Sequence, residues 1–195
     1  MPKHDKKKYI NFTTPQGTAK FPHLNKPDIA FDSEGKYKTE ILVSPEDAKG
    51  LLDLIHNAAI EEFGAHDLMK VEINKKMTDV PIKVPYKVDE ETGQVAFKAQ
   101  TKINPKFFDA KGQVVPPSAL PRLSGGSQLK LRGFLNVYSI TKTNVGVSMT
   151  LQDVQIIEAV SPNGDPGGFA PVEGGFTVDV GAFESTEKTA SNFDF

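Results

Sequence analysis

The sequence predicts an all-β fold with one inserted helix, and three observations carry that prediction. Four short segments alternate apolar and polar residues, as a strand with one buried face requires. A single stretch instead repeats its apolar residues every three or four positions. Gly, Pro, Asn and Asp gather between these segments, where turns are needed. Short strands with a lone helix favour a small barrel over a parallel α/β sheet.

Taken in chain order, the first alternating segment sets Tyr37, Thr39, Ile41 and Val43 on one face and Lys36, Lys38 and Glu40 on the other. The helix follows over 44–63. Ser44 can cap it, Pro45 suits its first turn, and Glu46 and Asp47 complement the positive end of its dipole. Ala48, Leu51, Leu52, Ile55, Ala59 and Phe63 form the apolar stripe, and Gly64 supplies the stop. In residues 95–103, Val95, Phe97, Ala99, Thr101 and Ile103 face one way, with Lys98, Gln100 and Lys102 opposite. In residues 128–138, Leu129, Leu131, Leu135 and Val137 oppose Gln128, Lys130, Arg132, Phe134, Asn136 and Tyr138. The last segment runs through Val145, Val147, Met149 and Leu151. Its phase slips at Gln152–Asp153 before Val154 and Ile156 resume, which predicts a bulge or bend. Residues 64–94 are harder to read: 71–77 and 80–88 have strand composition, but Pro81 and Pro85 confine the second to an edge or a loop. About five strands and one helix is the inventory of a five-stranded OB-fold barrel. It is assigned to residues 1–160, with a basic arm over 1–16.

Composition narrows the function. The chain has 195 residues, 23 basic and 25 acidic side chains, and neither Cys nor Trp. A body of roughly 150 residues buries about 70% of its unfolded surface and needs no covalent staple. Without Cys there is no disulfide, thiolate metal site or cysteine nucleophile. The most apolar stretch, 51–60, is broken by Asp53, His56 and Asn57, so no membrane span is expected. The basic N-terminus lacks the apolar core of a secretion signal. A soluble, intracellular protein is the expectation. Charge is unevenly spread: residues 1–160 sum to +3 and 161–195 to −5. Residues 95–142 hold eight cations against Asp109 alone. A basic middle with an acidic end points to nucleic-acid partners.

The face from 128 to 138 interleaves Lys130 and Arg132 with Phe134 and Tyr138. Phosphates call for the cations, and unstacked bases call for flat rings, so the combination fits single strands better than duplex. Lys98 and Lys102 extend the groove, with help from Lys20, Lys36 and Lys38. Phe107 and Phe108 are ambiguous, because alternation does not say which is core; Phe107 is assigned to the groove. Lys3, Lys6, Lys7 and Lys8 form a basic arm able to add phosphate contacts. Catalytic signals are weak. His4, His23, His56 and His66 lack metalloprotease spacing. Gly125-Gly126-Ser127 precedes a strand rather than a helix, so it is no phosphate loop. Pro27-Asp28 with Glu34-Gly35-Lys36 has the residue types of a PD…ExK metal nuclease, but only five residues separate Asp28 from Glu34. No catalytic residue, cofactor or metal is assigned. The alternatives are a protein-interaction module that never touches DNA and, behind it, the nuclease.

After Val160 the chain becomes Gly- and Phe-rich. GGFAPVE, GGFTVDV and GAFESTE repeat every seven residues, spacing Phe169, Phe176 and Phe183 evenly. Five glycines and one proline in those 21 residues oppose a coiled coil and favour a flexible acidic tail over 161–195.

With these residues in place, the sequence resembles the replicative single-stranded-DNA-binding proteins of tailed phages, the OB-fold type with an acidic, Phe-ending tail. The matching strings are Gly17-Thr18-Ala19, Lys26-Pro27-Asp28, Gly35-Lys36-Tyr37-Lys38, Phe108-Asp109-Ala110-Lys111-Gly112, GGSQLKLR at 125–132 and VGVSMTLQDVQIIE at 145–158. The resemblance implies sequence-tolerant binding of single-stranded DNA in replication, recombination and repair, in the cytoplasm of an infected bacterial host. By position, Tyr138 matches the family's aromatic at the end of its strand and Lys130 a cation in the GGS-initiated strand. Phe195 matches the terminal ring. The resemblance further implies a tail that competes with DNA for the groove and docks DNA polymerase and helicase-primase through Phe193, Asp194 and Phe195. One departure is the sparse charge: six acids lie in the tail, with Gly and Phe between them, which favours docking through phenylalanines over autoinhibition by charge. A homodimer is an assembly the sequence leaves open.

Overall fold

The structure is a computed structural model that describes residues 9–160 except Phe31 and Glu91. Ten strands and one helix follow in the order β1 (Ile10–Thr13), β2 (Gly17–Asp28), β3 (Lys36–Val43), α1 (Pro45–Phe63), β4 (Leu68–Ile73), β5 (Lys76–Pro81), β6 (Tyr86–Val88), β7 (Val95–Thr101), β8 (Lys106–Phe108), β9 (Gln128–Thr141) and β10 (Asn144–Glu158). Five of them close a barrel. β9, β2, β3 and β7 pair antiparallel in turn, β7 pairs parallel with β10, and β10 returns antiparallel to β9. This is the connectivity of an OB-fold, as the strand inventory predicts.

Alternation decides which residues fill the barrel. Thr39, Ile41 and Val43 of β3, Val95, Phe97 and Ala99 of β7, and Leu129, Leu131 and Leu135 of β9 are buried. The predicted face at 95–103 runs too far: β7 ends at Thr101, and Ile103 is 78% exposed in the loop beyond. β10 buries Val145, Val147, Met149 and Leu151, then Val154 and Ile156 after a register shift between Leu151 and Asp153. The bulge therefore falls where the sequence pattern slips, and Gln152 is the extra residue. β9 and β10 approach closely at Gly133: any Cβ there would overlap the Thr150 carbonyl oxygen, while Phe12 of β1 packs over the same spot.

α1 lies between the second and third barrel strands and packs on β9, β10 and β1. Ser44 Oγ accepts from the Asp47 amide at 3.2 Å, and Gly64 ends the helix at φ 74° with its N–H on the Ile60 carbonyl. Ala48, Leu51, Ile55, Ala58 and Ala59 are buried, as the helical stripe requires. It is too polar to cross a membrane, and no other helix among the described residues is long and apolar enough.

Two segments go beyond the sequence reading. Residues 10–13, placed within a basic arm, form an edge strand on β9, with Phe12 in the core; Lys3, Lys6, Lys7 and Lys8 lie outside the described residues. β4 and β5 make a separate hairpin whose two-residue turn, Asn74-Lys75, has φ 51° and 65°. The boundary at 160–161, the Phe repeats and the tail residues Phe193, Asp194 and Phe195 also lie outside the described residues.

Candidate functional site

The outer face of the barrel carries the candidate site. Register alone defines a row across it: Phe134 of β9 lies beside Thr150 of β10, Thr150 beside Gln100 of β7, Gln100 beside Lys38 of β3, and Lys38 beside His23 of β2. Four inter-strand steps of about 4.8 Å give a path of roughly 19 Å around the outside. Aromatic side chains gather at its β9 end. Cations gather toward β2.

At the β9 end, Phe134 is half-buried and meets Tyr9 edge to face, with ring centroids 4.9 Å apart and planes at 84°. Tyr9 is 63% exposed, so the pair offers ring surface to solvent. Sequence reasoning missed Tyr9. The available signal was Ile10 and Phe12 alternating with Tyr9, Asn11 and Thr13, which marks a strand and gives Tyr9 the outward face.

The slip at Gln152 sets Asp153 opposite Arg132. Arg132 donates from Nε at 2.7 Å and from a terminal nitrogen at 2.6 Å to Asp153 Oδ2. Asp153 is buried, whereas the Arg132 side chain stays largely exposed. The guanidinium is thus a fixed plane rather than a free cation. It can flank a base while its outer N–H groups still face solvent.

β8 resolves the two phenylalanines. It runs parallel to β10 with Phe107 beside Val154 and Phe108 beside Gln155. Val154 points into the barrel, so Phe107 does too, and it is only 6% exposed. The assignment of Phe107 to the groove is therefore wrong: a core ring has no face for a base. Phe108 is the ring of the pair that stays half-buried on the outer side. It lines both a cavity of about 420 Å³ with Lys106, Arg132 and Phe134, and one of about 260 Å³ with Lys130 and Arg132. The turn after it is held by Asp109, whose Oδ1 accepts from the Lys111 and Gln113 amides at 2.9 and 2.8 Å. The single carboxylate of the basic middle thus serves its own turn.

The remaining assignments divide. Tyr138 is half-buried, but its hydroxyl lies over Gly146 beside Lys83, and it lines neither cavity. The structure does not join it to Phe134. Lys20, Lys36, Lys38 and Lys98 do share the outer side of the β2–β3–β7 meander, and Lys102 follows in the loop after β7. Three of them are engaged by carboxylates at the end of β2 and in the loop after it. Lys38 pairs with Asp28, Lys36 with Asp32 at 3.3 Å, and Lys102 with Asp32 at 3.5 Å and with Glu34. The lysines and nearby amides hold the Asp28 and Asp32 carboxyls below their usual range, with the Lys38 hydrogen bond leading for Asp28 and the Glu34 amide for Asp32. Lys20 and Lys98 flank Glu40 across the strands without an ion pair within 4 Å among the described residues. The same pairings occupy both carboxylates of the PD…ExK reading, and no cluster of metal-ligating side chains occurs among the described residues.

No protein-family model matches the chain. No curated protein matches it either. Solved structures do. The protein gp2.5, a single-stranded DNA binding protein encoded by bacteriophage T7, matches with a TM-score of 0.61 at 23% identity over 88% of this chain and 100% of that one. The single-stranded DNA-binding protein from bacteriophage Enc34 matches with a TM-score of 0.57 at 16% identity, over 85% of this chain and 93% of its own. The same Enc34 protein in complex with ssDNA gives 0.54 at 16% identity, over 84% and 97%. These likenesses establish the fold.

Proposed function

We propose that the chain is a sequence-tolerant, non-catalytic binder of single-stranded DNA that serves phage DNA replication, recombination and repair. The observation that carries this reading is the outer row, on which half-buried and exposed rings at one end and lysines at the other share one continuous face. Bases stack on Phe134, Tyr9 and Phe108 and against the Arg132 plane. Phosphates meet Lys130, Lys106, Lys98 and Lys20, with Lys36, Lys38 and Lys102 joining as DNA displaces their carboxylate partners. The middle of the row crosses β3 and β7, the second and third barrel strands, whose face OB-folds use for oligonucleotides. The fold is shared with proteins named for binding single-stranded DNA, one of them in complex with it. The 161–195 tail modulates access to the groove, and Phe193, Asp194 and Phe195 recruit DNA polymerase and helicase-primase.

The test is a titration of labelled oligo-dT across a salt series, with duplex as control and Mg²⁺ in a parallel arm. Neutralising four or five phosphates gives a log–log salt slope of about −3 on single strands. Duplex should bind far more weakly, and the oligonucleotide should remain intact with Mg²⁺. A slope near zero, or equal affinity for duplex, overturns the proposal.

A further inference from the structure

Resting on that reading, we infer that Phe21 is a second base-stacking platform, built separately from the Phe134 end and marking the far limit of the DNA path. The backbone shows it first. The β2–β3 register breaks between Lys20 and His23, and within the break Phe21 stands at φ 46°. That region is costly for a bulky side chain. Phe21 does not recover the cost by burial, because it is 70% exposed. No other ring packs against it among the described residues. A bulge of this kind re-aims a side chain that regular alternation would have placed elsewhere.

The surroundings identify what it is aimed at. Phe21 and His23 together border two hollows. One, of about 620 Å³, also holds Lys26 and Arg122; the other, of about 280 Å³, holds Lys38 and Lys98. A flat ring thus stands between two pairs of cations, the arrangement that a base flanked by its two phosphates requires. The far wall is fixed in place. Asn25 donates from Nδ2 to the Pro121 carbonyl at 2.9 Å and accepts from the Leu123 amide at 2.8 Å, which holds Arg122 beside β2. Leu24 and Leu123 are buried beneath. His23 ends the row that begins at Phe134, so a strand crossing the barrel along that row arrives beside Phe21.

The chain contains no Trp, so Phe21→Trp introduces one indole whose emission reports this position alone. Saturating the variant with a 20-mer of dT should quench that emission. Phe21→Gly, which removes the ring and relieves the positive φ, should raise Tm and weaken binding of the same oligonucleotide about tenfold. Loss of affinity without loss of stability separates a stacking role from a structural one. If the unmodified chain binds the 20-mer but the indole is unquenched and Phe21→Gly binds as tightly, Phe21 is not a platform and the inference fails by itself. If the unmodified chain does not bind, the proposed function fails first, and the inference falls with it.

Discussion

Phe107 and Phe108 are chemically identical neighbours, and the pairing of β8 with β10 gives them different surroundings. Phe107→Ala removes a core ring and should cost about 3–5 kcal/mol of stability. Phe108→Ala should leave Tm nearly unchanged and weaken oligo-dT binding by about 1–3 kcal/mol. Paired thermal melts and titrations of the two variants check both statements; a reversal would move the groove away from the two cavities. The sequence could not choose between these rings because a three-residue strand holds too few positions to define a phase. Phe134, on a 14-residue strand, had its outward face legible from Leu129, Leu131 and Leu135 alone. Alternation gives a direction, though, and not a partner. Tyr9 against Phe134, and Asp153 against Arg132, depend on which strands lie side by side.

The elements that the sequence describes well are those with a strong period. α1 is legible from cap to stop, and the β10 bulge from one slipped register. The β4–β5 hairpin is not, because its turn is Asn74-Lys75 rather than the Asn-Gly that marks such turns, and much of both its faces stays exposed. The packing of α1 on β6 was equally hidden. It rests on His56 Nε2 lying 2.7 Å from the Tyr86 hydroxyl, with the His66 ring 4.6 Å from that of His56. Burial, and next the charge of His66, hold the His56 pKa below its ordinary 6.5. The unfolded chain therefore binds the proton more tightly than the folded one. This contribution to stability is full above about pH 6.5 and is lost as pH falls. Tm should drop between pH 7 and 5, and His56→Gln should flatten that part of the profile. An unchanged profile in the variant would show that His56 does not report on the α1–β6 contact.

Across the whole molecule, barrel closure turns five separate outward faces into one surface. Lys98 on β7 and Lys130 on β9 are 32 positions apart in the chain but share that surface, because β10 lies between their strands. The sequence supplied the charge and the rings, and the topology supplies their order around the barrel. It also brings in what no local pattern shows: the carboxylates of Asp28, at the end of β2, and of Asp32 and Glu34, in the loop after it, on three of the predicted lysines. On the proposed reading the phosphate contacts are graded: Lys130 and Lys98 have no ion pair among the described residues, whereas Lys36, Lys38 and Lys102 are contested. On the proposed reading, single-stranded DNA lies along the row from Phe134 to His23. Photo-crosslinking of bound oligo-dT, followed by peptide mapping, tests it most directly. Adducts should be confined to the peptides carrying Tyr9, Phe108 and Phe134 and to that carrying Phe21 and His23. Adducts concentrated on α1 or on the β4–β5 hairpin would contradict it.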